Sequence, residues 1–392
     1  MKFEWEPFIE KNEKLFDYNN SLLNFCKEKG LEVSSYDDNT EKQMANKFNV
    51  EFLSDRIKNG DNNKILDKPK ILENFFKNKG YKIIEPSSII KRDGSTLFTS
   101  AGVQILDEII FKEEDILNEK MYVSQPVLRT QFIDNVKEGT STSFINMSSE
   151  KINATLSEHF SSVGDWLSLL EDLGINKRDL NIYDRKGEPN WGGKAFKNHI
   201  LTFFFKGLEI GDAIYAYDVP QDSRENLNFS DIGFGLERLR WSLGDNNYFG
   251  WNSEDNIRPK ILDYCKTLTI LSGSGLIPSN NNHGYRFRQF SKKLQSEYPG
   301  QKNKIKEILV YYYDFWREWT KFEKDKSDCI STIEKENERN FNRILLDRLS
   351  EKHSDVGIDI NMPTEELLKR LKGTSVGKTY LENILKELYE RY

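Results

Sequence analysis

The sequence predicts an α+β fold, an antiparallel sheet flanked by helices, followed by an all-helical region. Three observations carry this. Strand-like runs recur between residues 81 and 219, and short turns such as Lys206-Gly207 separate them. From about Leu243 onward apolar residues fall at three- and four-residue steps and strand signals vanish. The 392 residues exceed what one ordinary core supports, so more than one domain is expected. The expected division is a helical N-terminal extension over 1–66, a mixed α/β domain over 67–245 and a helical domain over 246–392.

Each element has a local reason. FIEKNEKLFDYNNSLLNFCKEKG spaces its apolar residues as a helix does, and the Asn-rich stretch Asn59 to Asp67 reads as a connector. ILENFFKNKG is a helix stopped by Gly80, with a strand beginning at Tyr81. MYVSQPVLR, TSFINM, HILTFFFKG and GDAIYAYDVP read as strands, and HFSSVGDWLSLLEDLGI as a helix among them. DIGFGLERLRWSL, residues 231–243, reads as a Gly-x-Gly turn closing into an amphipathic helix. KILDYCKTLTIL, HGYRFRQFSKKL, KIKEILVYYYDFWREWTKF and CISTIEKENERNFNRILLDRL are all helical.

Composition narrows the function classes. With 31% charged residues and no apolar run near the roughly 20 residues of a membrane span, a cytoplasmic protein without membrane contact is expected. Cys26, Cys265 and Cys329 lie far apart without a CxxC pair, and His159, His199, His283 and His353 show no HExxH spacing. Neither pattern supports a zinc site, so no zinc is expected. The net charge of −6 hides a local basic stripe in which Arg286, Arg288, Lys292, Lys293, Lys302, Lys304 and Lys306 meet Glu297 alone along the chain. An anionic polymer, or plain solvent, would suit that stripe.

Four motifs in order carry a resemblance. TLFTSAGV (Thr96 to Val103) is similar to LLFTNAGM, and DIGFGLERL is similar to DTGMGLERI. PSNNNHGYRFRQ (Pro278 to Gln289) is similar to PSNxxGRGYVLRR, and IEKENERNF (Ile333 to Phe341) to a helix with EKEExxF. Together, from about Ile71 to Leu346, the chain resembles the catalytic and tRNA-recognition portions of alanyl-tRNA synthetases. The resemblance implies a class II synthetase sheet, ATP and an amino acid as substrates, Mg²⁺ with the ATP, and tRNA as partner.

Activation sets an amino-acid carboxylate against the α-phosphate of ATP, two anions that must be neutralised and aligned. No general base is required, because the carboxylate is already ionised at neutral pH. The resemblance places Arg129 on the α-phosphate and substrate carboxylate, and Arg238 on the distal phosphate; guanidinium forks suit both. The same resemblance implies that Asp231 pairs with the substrate α-ammonium and that Gly233 and Gly235 let the backbone approach the nucleotide. Phe144 is the candidate for adenine stacking, with a core Phe the equal alternative. Glu209 is a candidate Mg²⁺ or nucleotide contact. Arg286, Arg288, Lys292 and Lys293 are the candidate tRNA contacts.

The departures bear on the substrate. The family's RHHTFFEM is FIDNVKEGTSTSFINM here, with Ile145 or Asn146 at the glutamate position. Trp191 stands at the pocket wall or in the core, and Ile214 replaces a family valine. Asp212 replaces a pocket Asn, and a second acid near Asp231 favours a cationic side chain or a metal. These residues also contain no counterpart of the family's editing domain or C-terminal oligomerisation module, so editing in cis is not expected and the oligomeric state is left open. Three functions remain: charging of tRNA, an adenylating ligase that passes the acyl group to a carrier protein or small amine, and a non-catalytic paralogue.

Overall fold

The structure, a computed structural model, describes residues 6–48, 69–91, 96–112, 114, 116, 118–136, 139–245, 249–251, 257–350, 359–373 and 378–390. The connector expected at 59–67 lies outside them. Two compact units make up the chain: Met1–Ser87, Ser100–Val127 and Phe144–Tyr248 form one, and Ser88–Thr99, Leu128–Ser143 and Phe249–Tyr392 the other. No described helix is long and apolar enough to cross a membrane.

The first unit is built on one sheet. In chain order come α1 (Glu6–Lys29), β1 (Val33–Ser35), α2 (Thr40–Lys47), α3 (Pro69–Asn78), β2 (Lys82–Ile83), α4 (Asp107–Phe111), β3 (Met121–Leu128), β4 (Ser143–Ile152) and α5 (Leu156–Asp172). Then follow β5 (Leu180–Gly187), β6 (Asn190–Trp191), β7 (Lys194–Ala195), β8 (Lys197–Phe205), β9 (Leu208–Val219), β10 (Leu227–Gly235) and α6 (Leu236–Ser242). Eight strands order as β1-β5-β8-β9-β10-β4-β3-β2, while β6 and β7 form a separate hairpin. From β5 to β4 every pairing is antiparallel. Lys206 and Gly207 both take positive φ, 48° and 89°, which gives the β8–β9 hairpin the two-residue turn its twist requires.

Register decides which side chains share a face. Asp231 pairs with Glu150 on β4 and Ile214 on β9; Gly233 pairs with Ser148 and Asp212; Gly235 pairs with Asn146. These residues therefore share one face, and the intervening Ser230, Ile232 and Phe234 point to the other. Helices α5 and α1 cover that second face. Trp166 stacks on Phe234 with ring centroids 4.7 Å apart and donates from Nε1 to Ser149 Oγ at 2.7 Å. Tyr18 of α1 stacks on His199 at 3.7 Å. On the first face, the 3₁₀ turn Gly102–Leu106 and α4 pack Leu106, Ile109 and Ile110 against Ile152, Ala216 and Phe229. A Cβ at Gly102 would stand 2.3 Å from the Ser148 Cβ, so only glycine lets this turn lie against β4.

Two expectations are revised. DIGFG is strand rather than turn, and the helix begins only at Leu236. The cause is alternation: Ile232 and Phe234 are buried under α5 while Asp231, Gly233 and Gly235 occupy the other face, a period-2 pattern that two glycines disguised. The segment before residue 67 is also not a purely helical extension, because β1 adds to the sheet in parallel with β5.

The second unit is helical, as expected. It contains α7 (Pro259–Gly273), α8 (Asn282–Glu297), α9 (Lys302–Arg317), α10 (Lys326–Ser350), α11 (Thr364–Lys372) and α12 (Lys378–Glu390). The buried Asp263 carboxylate accepts from Thr142 N at 2.7 Å and Thr142 Oγ1 at 2.5 Å, tying the 128–143 segment to α7. Phe341, Leu345 and Leu349 of α10 form a satellite core with Leu367, Leu371 and Leu381.

Candidate active site

The first face of the sheet gathers most of the residues singled out in the sequence. At one end stands Asp231, 8% exposed. Its cross-strand neighbour Ile214 and the β6 residue Trp191 both pack against the Phe229 core, with Trp191 edge-on to Phe111 at 5.1 Å and to Phe229 at 6.2 Å. Trp191 thus belongs to the apolar core on this face. Asp212, partly exposed, occupies the diagonal cross-strand position, roughly 7–8 Å from Asp231 between Cα atoms.

At the other end, Gly235 lies four residues along β10, roughly 13 Å away at strand rise. A Cβ there would meet the Phe144 ring at 3.7 Å and the Arg238 Cβ at 3.5 Å, which places both side chains beside the strand end. Arg238 Nη1 donates to the Glu209 carbonyl oxygen at 3.0 Å, so backbone holds the guanidinium at the end of β9. The Glu209 side chain is exposed. Glu237, adjacent to Arg238, turns inward instead, and its carboxylate accepts from Ile145 N at 3.0 Å, fixing α6 to β4.

Of three polar residues of β4, sequence reasoning named Asn146 only for its place at the family's glutamate and missed Ser148 and Glu150. Asn146 Oδ1 accepts from Gly102 N at 2.7 Å, and a Cβ at Gly233 would meet the same amide at 3.2 Å. Ser148 Oγ lies 2.5 Å from Glu150 Oε1 and 3.2 Å from Asp231 Oδ1. Glu150 is 1% exposed and its Oε2 has no hydrogen-bond partner. Burial, then the Asp231 charge, hold the Glu150 carboxyl well above the usual carboxylate range; the Ser148 bond opposes this. The signal for Glu150 was present as alternation in NMSSEKI, but its meaning depends on register with β10.

The remaining candidates fall in the second unit. Arg129 directly follows β3 and donates from its backbone N to Thr142 O at 2.8 Å. Arg286, Arg288, Lys292 and Lys293 lie on α8. There the basic stripe is partly neutralised: Arg288 faces Glu336 at 3.5 Å, Lys293 faces Asp134 at 2.5 Å, Lys304 faces Glu307 at 2.7 Å and Lys306 faces Glu334 at 3.6 Å. Arg286 donates to Gln289 at 2.8 Å. Among the described residues, no three His, Cys, Asp or Glu side chains group as a metal site.

The arrangement suits a ligand with a cation at one end and anionic groups at the other. No protein-family model matches the chain. An alanine–tRNA ligase of Saccharolobus islandicus is 27% identical over 402 residues, covering 80% of this chain and 43% of the relative. That of Sulfurisphaera tokodaii is 22% identical over 358 residues, 69% of this chain and 38% of the relative. That of Bacillus cytotoxicus is 23% identical over 360 residues, 70% and 40%. A solved prolyl-tRNA synthetase of Cryptosporidium parvum, complexed with L-proline and AMP, covers 64% of this chain at 10% identity, but its TM-score of 0.29 supports no structural argument. The chain spans about two fifths of the length of the curated relatives it matches, and it is a distant homologue of alanine–tRNA ligases.

Proposed function

We propose that the first unit activates an amino acid with ATP as an aminoacyl-adenylate, and that the acyl group then passes to the 3′ end of a tRNA. The observation that supports this best is the polarity of one sheet face, with Asp231 beside Ile214 and Trp191 at one end and Arg238, Phe144 and Glu209 at the other. Asp231 receives the α-ammonium, and Ile214 and Trp191 limit the side chain. Arg238 holds the distal phosphates. Phe144 stacks on adenine, and Gly233 and Gly235 keep the strand low beneath the nucleotide.

The carboxylate oxygen forms a bond to the α-phosphorus as pyrophosphate leaves; the tRNA hydroxyl then attacks the acyl carbon and AMP leaves. Two anions meet in the first step, so charge neutralisation and alignment are the main contributions of these residues. A divalent cation bound to the phosphates supplies further positive charge. The exposed Glu209 carboxylate is suited to one contact with it, because Mg²⁺ takes few protein ligands beside phosphate and water. Incubating the protein with ATP, amino acids and total tRNA tests the reading. A base-labile aminoacyl ester on the tRNA 3′ end is the expected product, and its absence alongside detectable adenylate refutes the tRNA step.

One observation favours a second acceptor. Four of the seven stripe cations face carboxylates, which leaves fewer charges for phosphates. In that reading the same adenylate passes to a carrier protein or small amine.

A further inference from the structure

Two carboxylates and one hydroxyl meet under the candidate amino-acid end of the face, and the hydroxyl proton can serve one carboxylate alone. Ser148 Oγ carries one proton, yet oxygens of Glu150 and Asp231 both stand within hydrogen-bond distance, at 2.5 Å and 3.2 Å. If both acids were ionised, one contact would set two lone pairs against each other among buried side chains. One more proton resolves the conflict. Glu150 is its natural seat, because it is the more deeply buried of the two at 1% against 8% exposed. The chain then runs in one direction, with Glu150 Oε1–H donating to Ser148 Oγ and Ser148 donating to Asp231 Oδ1.

We propose that Glu150 is a positioning residue: as an undissociated acid it orients Ser148 toward Asp231, and so fixes a single carboxylate for the substrate ammonium. The inference rests on the amino-acid-activating reading above. It explains why an acid is tolerated beside Asp231. With both groups ionised the pair would carry two charges against one ammonium, whereas the protonated pair carries one and matches it. It also explains the order of the β4 residues, since Ser148 and Glu150 reach the same face only through the period of two.

The test combines a spectrum with kinetics. At neutral pH, the infrared difference between wild type and Glu150→Gln should contain the carbonyl band of an undissociated carboxylic acid, present in wild type alone. In amino-acid-dependent ATP–pyrophosphate exchange, Glu150→Ala should raise KM for the amino acid about tenfold, as loss of one hydrogen bond to a charged group does, with kcat little changed. Glu150→Gln, whose amide N–H replaces the acid proton, should recover most of that loss. A wild-type spectrum without the undissociated acid, or a Gln variant as impaired as the Ala variant, overturns the inference. Wild-type silence in exchange with every amino acid would instead count against the activating reading, while the infrared band still decides whether Glu150 holds its proton.

Discussion

The two faces of the central sheet use the same strands for opposite ends. On β10, Ser230, Ile232 and Phe234 lie under α5 and α1 among Trp166, Tyr18 and Phe160, while Asp231, Gly233 and Gly235 lie on the face that gathers Glu150, Asp212, Phe144 and Arg238. Both faces bury polar groups. On the helix-covered face His159 Nδ1 is 2.7 Å from Ser230 Oγ, and its Nε2 has no partner. On the other face the acids line up with a hydroxyl between them. The covered face also holds the Asp184 carboxylate, 3.5 Å from His199 Nδ1, whereas the other face sets two acids about one hydroxyl where a charged ligand is proposed to bind.

The sharpest separation of the faces comes from two residues four positions apart. Phe234→Ala should cost about 3–5 kcal/mol of stability, as a large aromatic removed from a packed core does, read as a shift in the urea midpoint. Arg238→Ala, four residues on, should leave that midpoint nearly unchanged and lower amino-acid activation by about 10² or more, as loss of a charge-stabilising donor does. If Arg238→Ala unfolds the protein instead, or turns over like wild type, the division between the faces fails.

Acid should act through the covered face. Burial, then the neighbouring His199, depress the His159 pKa from 6.5 to about 3. The unfolded chain therefore takes up the proton first, and the stability linked to this group, full above about 6.5, is lost as pH falls toward about 3. His159→Asn should flatten that slope in unfolding curves measured across the window; equal slopes would show that His159 does not carry it.

Smaller effects sharpen the ligand face. Asp212→Asn should move substrate preference toward small neutral amino acids such as alanine, measured as relative exchange rates; an unchanged ranking would place Asp212 outside the pocket. Smallest of all, Lys292→Ala should weaken tRNA binding a few-fold and reduce the salt dependence by about one phosphate contact. Identical salt slopes would favour the acceptor that is not a nucleic acid.

Much of this was legible in the chain. Helical periodicity found α5 and α7 to α10 with only their ends shifted, and Lys206-Gly207 announced its hairpin. Asp231 and Arg238 stood out because one short motif holds both. Register-dependent features were not legible: β10 looked like a turn because two glycines broke its alternation, and Glu150 gained meaning only when β4 was paired with β10. Ion pairing across the fold was hidden for the same reason, since Lys293 meets Asp134, 159 positions away, and Arg288 meets Glu336 on another helix. Local sequence reports period and charge density; it does not report which distant carboxylate lies opposite.

Amino-acid-dependent ATP–pyrophosphate exchange, run with each of the twenty amino acids and no tRNA, tests the central proposal most directly. Exchange supported by one amino acid, and lost in Arg238→Ala, is the predicted result. Silence with all twenty, persisting after total tRNA is added, would contradict it.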